Sequence, residues 1–315
     1  MASEPIVTVF DLSAGKRSPF WDSGTWFDYL VLTKPEVNFL IVVTTFAGFY
    51  LGCPSGWQEF PILRAINAVL GTLMVASGTG ALNQYIERRF DAQMRRTARR
   101  PLAAGRLNPP AVLWFGITLS VLGSAYLAAA INLLASLLAL GTLLSYLFIY
   151  TPLKRMSPVC TLVGAFSGAM PPLIGWAAAS GRLSFGAGIL YSVLFLWQFP
   201  HFMSIAWMYR EDYARAGYQV LPNDERARRR LVNWQTRLPL VLLVPISLLP
   251  ALIGKSGLAY SVGAVLLCTG FSSAGARFAV RKSNSSARQL LTVSIIYLPS
   301  LFVLMILFTG SGRPY

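Results

Sequence analysis

A row of oxygen-bearing side chains stands at the end of an apolar stretch. Asn83, Glu87 and Asp91 follow one another at four-residue spacing. At about 100° per residue, a helix places such residues on one face. Carboxylate and amide oxygens are ligands that Mg²⁺ accepts, usually together with phosphate oxygens of a substrate. The spacing therefore predicts a magnesium site at a helix end, although arginine–carboxylate ion pairs on a solvated helix end would give the same pattern.

Arginines are crowded around these acids. The guanidinium group matches phosphate geometry, because it donates two parallel hydrogen bonds. The cluster therefore predicts that a phosphorylated polyanion binds beside the acidic face. Its members between residues 88 and 100 are Arg88, Arg89, Arg95, Arg96, Arg99 and Arg100.

A second acidic pair follows a later apolar stretch. Glu211 and Asp212 lie between Arg210 and Arg215. Both acidic segments fall on the same predicted side of a membrane, so they are expected to form two halves of one site. A diphosphate bridged by Mg²⁺ between two carboxylate patches would use both halves.

A third segment, YTPLKR, ends another apolar stretch on that side. Tyr150 offers a hydroxyl group, and Lys154 and Arg155 offer two cations. These groups are predicted to add further contacts to the diphosphate.

By composition, the elements that position these residues are membrane helices. Hydrophobic residues make up 55% of the 315 and charged residues 12%, with a mean hydropathy of +0.55, whereas soluble domains carry about 25% charged residues. The pattern predicts an all-α, polytopic protein with nine transmembrane helices. We expect these helices to surround a central cavity open toward the cytoplasmic side. Pro171-Pro172 and Pro200 predict breaks in the fifth and sixth spans. The nine predicted spans are 36–54, 62–83, 110–130, 132–150, 159–179, 185–209, 238–254, 257–279 and 289–309.

Basic residues are segregated between alternate loops. By the positive-inside rule, the side that carries all but four of the 27 Lys and Arg is cytoplasmic, and so is the N-terminus. The net charge of +15 is therefore explained by basic residues that hold loops on the cytoplasmic side. The predicted partner is the lipid bilayer, and binding of nucleic acid is not expected. The predicted organisation is a tail at 1–30 with interfacial aromatics, a nine-helix domain at 31–310 and a short outer tail at 311–315. The four exceptions are Arg64, Arg182, Lys255 and Arg313.

Histidine and cysteine are sparse. His201, the only histidine, lies inside the sixth span. A lone histidine in a membrane helix is either a hydrogen-bonded core residue or a functional group, and ionisable residues at such depth are candidates for function. The cysteines show no metal-ligand spacing and are interpreted as apolar filler; they are Cys53, Cys160 and Cys268.

Two long motifs are shared with a known family. The first, N-x-x-x-[DE]-x-x-x-D-x-x-M-x-R-T-x-x-R-P-L, is complete over residues 83–102. The second, W-Q-x-P-H-F followed by D-Y-x-x-A-G-x-x-x-L-P, occupies 197–202 and 212–222. With LTKPEVN at 32–38 and YTPLKR, the chain resembles the intramembrane prenyltransferase (UbiA) superfamily over about 28–309, and within it the protohaem IX farnesyltransferase family.

The chain departs from relatives at three positions. Glu87 stands where many bacterial relatives have Asp, which keeps the carboxylate, and Arg89 stands where they often have an acid, which removes one possible ligand. Quinone-type relatives carry a further Asp in the second motif, where this chain, like the haem branch, has Ala216.

The resemblance implies a reaction. A farnesyl group would pass from farnesyl diphosphate to a vinyl group of haem b, with release of diphosphate that is bound to Mg²⁺. Haem b would be a substrate and not a cofactor. The resemblance also implies the bacterial inner membrane, and a downstream haem-modifying enzyme or terminal oxidase assembly as partner.

The resemblance further implies roles for individual residues. His201 would position or coordinate the haem iron, and Trp197 and Gln198 would line its pocket or pack the core. Tyr150 would orient the diphosphate and Lys154 would neutralise it. The remaining substrate-binding residues would be Arg95, Arg96, Arg100, Glu211 and Arg215. The residues that hold the metal would be Asn83, Glu87, Asp91 and Asp212.

Two alternatives remain open at this point. One is prenylation of an aromatic quinone precursor, against which Ala216 and the P-H-F segment weigh. The other is a polytopic transporter for an anionic lipid or metabolite, which would leave the long charged motifs without an explanation.

Overall fold

A computed structural model describes residues 23–53, 60–254 and 256–308. The predicted tail at 311–315 and most of the tail at 1–30 lie outside these residues. The described chain is helical and contains no strand, and one π-helical turn occupies Ser145–Tyr150. The helices are α1 (Ser23–Leu32), α2 (Pro35–Gly52), α3 (Ile62–Asp91), α4 (Pro109–Ala130), α5 (Leu133–Leu144), α6 (Thr151–Leu153), α7 (Cys160–Gly168), α8 (Pro171–Ser180), α9 (Phe185–Met208), α10 (Arg210–Arg215), α11 (Glu225–Leu252), α12 (Leu258–Arg281) and α13 (Asn284–Phe308).

Among these residues, nine helical stretches are long and apolar enough to cross a membrane. Seven are single helices, one runs from α5 through α6, and one joins α7 to α8. The predicted all-α class and the number of spans are therefore confirmed. The nine stretches are Pro35–Gly52, Ile62–Asp91, Pro109–Ala130, Leu133–Leu153, Cys160–Ser180, Phe185–Met208, Glu225–Leu252, Leu258–Arg281 and Asn284–Phe308.

Two helices extend well beyond their predicted spans. α3 continues past residue 83 to Asp91, and α11 begins at Glu225 and not at 238. Hydropathy falls where charged residues begin, but a helix continues until a cap or a break ends it. At α11 the cap is Asp224, whose carboxylate accepts the backbone N–H of Ala227 at 2.7 Å. The acidic row of α3 is consequently held on a rigid helix.

The prolines of the fifth and sixth spans have different effects. Pro171-Pro172 separates α7 from α8, as predicted. Pro200 lies inside α9, which runs unbroken from Phe185 to Met208, so the predicted break in the sixth span is wrong. A proline removes one intrahelical hydrogen bond, and a membrane helix packed among neighbours tolerates that loss. Here α9 packs against α7, α11 and α13.

Two glycines allow α2 and α8 to touch through their backbones. A Cβ atom on Gly48 would collide with the carbonyl of Pro172, and one on Gly175 would collide with the carbonyl of Thr45. Small residues permit this approach between membrane helices, where close packing replaces the hydrophobic driving force. This contact ties the N-terminal helices to the centre of the bundle.

The exterior of the bundle is apolar, and a cluster of polar side chains is buried at one end of α3. Large apolar side chains such as Phe148, Val241 and Leu266 are exposed on the outer surface, whereas Asn83 and Glu87 are buried. An apolar exterior is what a helical bundle presents to lipid. The buried polar side chains of α3 mark the position of the candidate site.

Candidate active site

The three predicted residues of α3 are all buried. Asn83, Glu87 and Asp91 are between 1% and 5% exposed. The amide of Asn83 donates to Oε2 of Glu87 at 2.9 Å, so the first two stand side by side as their spacing predicts. Ionised carboxylates at this depth need partners.

Glu87 is surrounded by donors from two other segments. Lys154 Nζ lies 2.9 Å from Oε1 and 3.2 Å from Oε2, and the hydroxyl of Tyr218 donates to Oε1 at 3.0 Å. Burial by itself lowers the pKa of Lys154, but the charge of Glu87, together with Tyr150, Tyr146 and Tyr218, outweighs burial and holds that pKa well above its usual value. The pair is therefore a stable ion pair with both charges present.

Lys34 adds a second ammonium group to the same cluster. Its Nζ donates to Oδ1 of Asn83 at 2.8 Å. Burial, followed by the positive charges of Arg100 and Lys154, lowers the pKa of Lys34 to about 7. The residue has a left-handed backbone with φ of 56° directly before Pro35, the first residue of α2. Its side chain is thereby directed across to α3.

Asp91 has one paired and one unpaired oxygen. Oδ2 receives a hydrogen bond from Nη1 of Arg100 at 2.8 Å, whereas Oδ1 is buried without a partner among the described residues. The backbone carbonyl of Asp91 accepts the hydroxyl of Thr97 at 2.8 Å, which folds the following loop back over the acid. An orphaned buried carboxylate oxygen is an available ligand for a cation.

The second acidic segment is joined to the first by Arg96. Oδ2 of Asp212 accepts the backbone N–H of Arg96 at 3.4 Å, and Oδ1 pairs with Arg215 at 2.9 Å. The guanidinium of Arg96 also donates to the hydroxyl of Tyr213 at 3.3 Å and lies 4.8 Å from the ring centroid of Tyr209. The two predicted halves therefore meet in the structure.

The third segment is connected to both halves. Besides pairing with Glu87, Lys154 accepts the backbone N–H of Gln219 through its carbonyl at 2.7 Å. Its ammonium lies 4.6 Å from the ring centroid of Tyr150, so that ring forms one wall of the cluster. Tyr150 ends the π-helical turn, a local irregularity that often occurs at functional sites.

Two predicted site residues lie at the edge. The side chain of Glu211 is 80% exposed and pairs weakly with Arg210 at 3.5 Å. Arg95 is exposed and makes no hydrogen bond or ion pair within the described ranges. The acids also remain separate: in the part of the chain that the structure describes, no three His, Cys, Asp or Glu side chains gather as a metal cluster. A metal would thus be shared between single acids and substrate oxygens.

Sequence reasoning missed Lys34 and Tyr218 as members of the cluster. Lys34 lies in the family segment LTKPEVN, directly before Pro35 at a helix start, but nothing in that segment indicates that its side chain reaches Asn83. Tyr218 follows Gly217, whose φ of +71° turns the chain back toward α3. No local pattern indicates which distant acid that tyrosine contacts.

The residues predicted for the haem side lie on α9. Nδ1 of His201 is 2.8 Å from the hydroxyl of Ser294 on α13, and its ring stacks on Trp197 at 4.6 Å between centroids. Trp197 donates to the carbonyl of Ser294 at 2.7 Å, and Gln198 donates to the carbonyl of Ala165 at 3.2 Å. Trp197 and Gln198 therefore link helices, which accords with the packing interpretation of both.

Comparison with known proteins places this geometry in a family. The model of the UbiA prenyltransferase family matches residues 41–306. Proteins named Protoheme IX farnesyltransferase are similar: one from Solibacter usitatus (strain Ellin6076) is 47% identical over 89% of this chain and 98% of its own length, and one from Koribacter versatilis (strain Ellin345) is 42% identical over 89% and 92%.

Solved structures share the fold. A digeranylgeranylglyceryl phosphate synthase superposes with a TM-score of 0.74 at 18% identity, covering 90% of this chain and 98% of that one. A UbiA homolog from Archaeoglobus fulgidus, bound to GPP and Mg²⁺, gives 0.63 at 16% identity, covering 88% and 99%. With the family model over most of the chain and relatives above 40% identity, the predicted family is confirmed: this chain is a multi-pass membrane enzyme that belongs to the UbiA prenyltransferase family.

Proposed function

We propose that this prenyltransferase moves a farnesyl group from farnesyl diphosphate to a vinyl group of haem b, giving haem O and diphosphate. The observation that carries this proposal is the 47% identity over nearly full length to a protein named Protoheme IX farnesyltransferase. The paired carboxylates and cations at the ends of α3, α6 and α10 supply a site suited to the diphosphate.

The donor set suits Mg²⁺, which takes oxygen ligands and is held by one or two carboxylates plus substrate phosphates. The unpartnered Oδ1 of Asp91 supports this assignment. The residues that would hold magnesium, as one ion or more, are Asn83, Glu87, Asp91 and Asp212. When bound, Mg²⁺ would stabilise the negative charge that develops on the departing diphosphate oxygens.

The basic residues would act on the same charge. Lys154 and Arg100 already stand within hydrogen-bonding distance of the acids, and Arg96 bridges the two loops. Fixed cations of this kind need no rearrangement as the carbon–oxygen bond breaks. Tyr150 would orient the diphosphate beside Lys154. Of the outer residues, Arg95 and Arg215 would attract the incoming anion, and Glu211 would belong to the same substrate-binding set.

The electron balance of the transfer is simple. The allylic carbon–oxygen bond breaks and its electron pair leaves with diphosphate. The vinyl π pair of the haem forms the new carbon–carbon bond, and water adds to the resulting cation and loses a proton. The bundle would keep water from the first cation. His201 would position the macrocycle by coordinating its iron.

The segregation of Lys and Arg between alternate loops supports an orientation of the protein in its membrane. We propose that the N-terminus and the cavity mouth face the cytoplasm of a bacterium, and that residues 31–310 form the catalytic domain in the inner membrane. The haem product is hydrophobic, so transfer to a haem-modifying enzyme or a terminal oxidase assembly in the same membrane would follow.

Product analysis tests the proposed acceptor. Purified protein is incubated with farnesyl diphosphate and Mg²⁺ together with either haem b or 4-hydroxybenzoate, and products are extracted. We expect a farnesylated haem and no prenylated benzoate. Prenylation of the benzoate alone would assign a quinone-type activity, and uptake of farnesyl diphosphate into vesicles without any product would indicate a transporter.

A further inference from the structure

The hydrogen bonds around Ser294 locate a proton. Its hydroxyl oxygen lies 2.6 Å from the backbone carbonyl of Leu291. A carbonyl oxygen has no proton to give, and two oxygens at this distance repel each other unless a hydrogen lies between them. The only hydrogen of the Ser294 hydroxyl is therefore committed to Leu291.

Because the Ser294 hydroxyl donates to Leu291, it can only accept in its contact with His201. Nδ1 of His201 is 2.8 Å from the same hydroxyl oxygen. Because that oxygen has no further hydrogen to donate, it accepts, and Nδ1 of His201 is the donor. A neutral imidazole carries one N–H, so its lone pair is on Nε2. No charged side chain contacts this ring within the described residues, which favours the neutral form.

The plane of the ring is also restrained. Trp197 stacks on His201 at 25° between planes, and its indole N–H donates to the carbonyl of Ser294 at 2.7 Å. Ser294 thus holds the histidine through its hydroxyl and the stacking partner through its carbonyl. The only side-chain hydrogen bond of His201 among the described residues is made by Nδ1, so Nε2 has no hydrogen-bond partner there. The arrangement therefore leaves one oriented lone pair without a partner.

We propose that Ser294 is a positioning residue that keeps the proton on Nδ1 of His201 and presents Nε2 as the ligand to the iron of the haem substrate. This inference rests on the proposed function for the identity of the metal. Metal-ligating histidines regularly donate their other N–H to an oxygen acceptor, which fixes tautomer and orientation. Here the acceptor is a neutral hydroxyl and not a carboxylate. A hydroxyl makes the imidazole a weaker ligand, which suits a haem that must leave as product.

Because His201 is the only histidine, nitrogen NMR reads its tautomer without assignment. The full-length protein is labelled with ¹⁵N-histidine and measured in detergent without haem. We expect the Nδ1–H tautomer in the wild type and a shift toward Nε2–H in Ser294→Ala. The matched control is Ser204→Ala, which removes a hydroxyl bonded to the backbone carbonyl of His201 at 2.7 Å and should leave the tautomer unchanged. An Nε2–H tautomer in the wild type would overturn the inference.

A haem titration tests the ligand role. Haem b is added to the wild type, Ser294→Ala and Ser294→Thr, and binding is followed by absorbance. We expect Ser294→Ala to weaken binding by about 10- to 100-fold, as for other outer-shell partners of metal-bound histidine, and Ser294→Thr to restore it. If His201→Ala binds haem with an unchanged spectrum and still forms farnesylated haem, the ligand role is overturned while the proposed function stands. If the wild type forms no farnesylated haem, the proposed function itself fails.

Discussion

At the scale of single residues, the site is built from acids that each have their own cation. Lys154 pairs with Glu87, Arg100 with Asp91, and Arg215 with Asp212. The alternative of arginine–carboxylate pairs on a solvated helix end fits only in part: within the row on α3, Asp91 pairs with an arginine but Glu87 pairs with a lysine, and both acids are buried. Such pairing keeps carboxylates ionised and oriented, which a diphosphate site also requires.

Replacing Asp91 by Asn preserves shape and removes the charge. The variant loses its pair with Arg100 and the free Oδ1 that is proposed to hold Mg²⁺. We expect kcat/KM for farnesyl transfer to fall by about 10²-fold or more, since charge stabilisation in the transition state is lost. Steady-state kinetics at saturating Mg²⁺ measure this effect. Glu225→Gln, at a surface pair with Arg229, is the control and should retain activity. Near-normal turnover of Asp91→Asn would reject the metal role.

Lys154 and Glu87 should be coupled in stability. In Lys154→Met the carboxylate of Glu87 stays buried, with only neutral hydrogen-bond donors in contact and Lys34 nearby. Removal of one partner from a buried ion pair lowers the free energy of unfolding by about 3–5 kcal/mol. We expect the double variant with Glu87→Gln to regain much of that loss, because no unpaired charge remains. Thermal unfolding in detergent measures both changes, and neither variant should be active. Equal instability of single and double variants would show that the two side chains are not coupled.

The residue scale also shows where sequence reasoning succeeds and fails. The spacing of Asn83, Glu87 and Asp91 was sufficient to predict a shared helical face, because local geometry determines it. Tyr218 reaches Glu87 from 131 positions away, and Lys34 reaches Asn83 across helices. Contacts of that kind depend on how helices pack, which no local pattern encodes.

At the scale of elements, prediction was accurate inside the bilayer and poor at its edges. Apolar length identified all nine stretches among the described residues. It did not identify the C-terminal end of α3 or the N-terminal end of α11. Hydropathy falls at these charged ends, but both helices continue through the charged residues, and α11 begins only at its cap, Asp224. Pro200 shows the opposite error, because packing against neighbours keeps α9 intact where local chemistry predicts a break.

The backbone contact between α2 and α8 gives a prediction at this scale. Gly48→Ala places a methyl group against the carbonyl of Pro172, and backbone atoms cannot move aside as a flexible side chain would. We expect a loss of about 1–3 kcal/mol or more in stability, typical of overpacking, seen as a lower midpoint of thermal unfolding. Gly188→Ala, in a helix with open space around it, should be neutral or stabilising. A Gly48→Ala protein as stable as the wild type would contradict the close approach.

At the scale of the whole molecule, the bundle has an apolar exterior and a polar centre near the ends of α3, α6 and α10. The loops that carry the acids, Arg96 and Tyr218 are interlocked by hydrogen bonds. Charge segregation in the sequence predicts that these loops share one side of the membrane. The contacts between them require that they do.

Topology follows from the same segregation. Reporter proteins fused after Arg106 and after Arg230 should be cytoplasmic, whereas a reporter at the C-terminus should lie on the opposite side, since the residues that the structure describes contain nine candidate spans, an odd number. Paired alkaline phosphatase and green fluorescent protein fusions measure this. A cytoplasmic C-terminus would contradict both the orientation and the odd number of spans.

The central claim, transfer of farnesyl to a haem vinyl group, is tested most directly by double isotope labelling. Deuterated farnesyl diphosphate, haem b and Mg²⁺ are incubated with the protein in ¹⁸O-water, and extracted haems are analysed by mass spectrometry. The account predicts one haem product that carries both the deuterated farnesyl group and a single solvent oxygen, and that forms far more slowly with Asp91→Asn. Release of diphosphate with the haem unlabelled, or label on another acceptor, would contradict it.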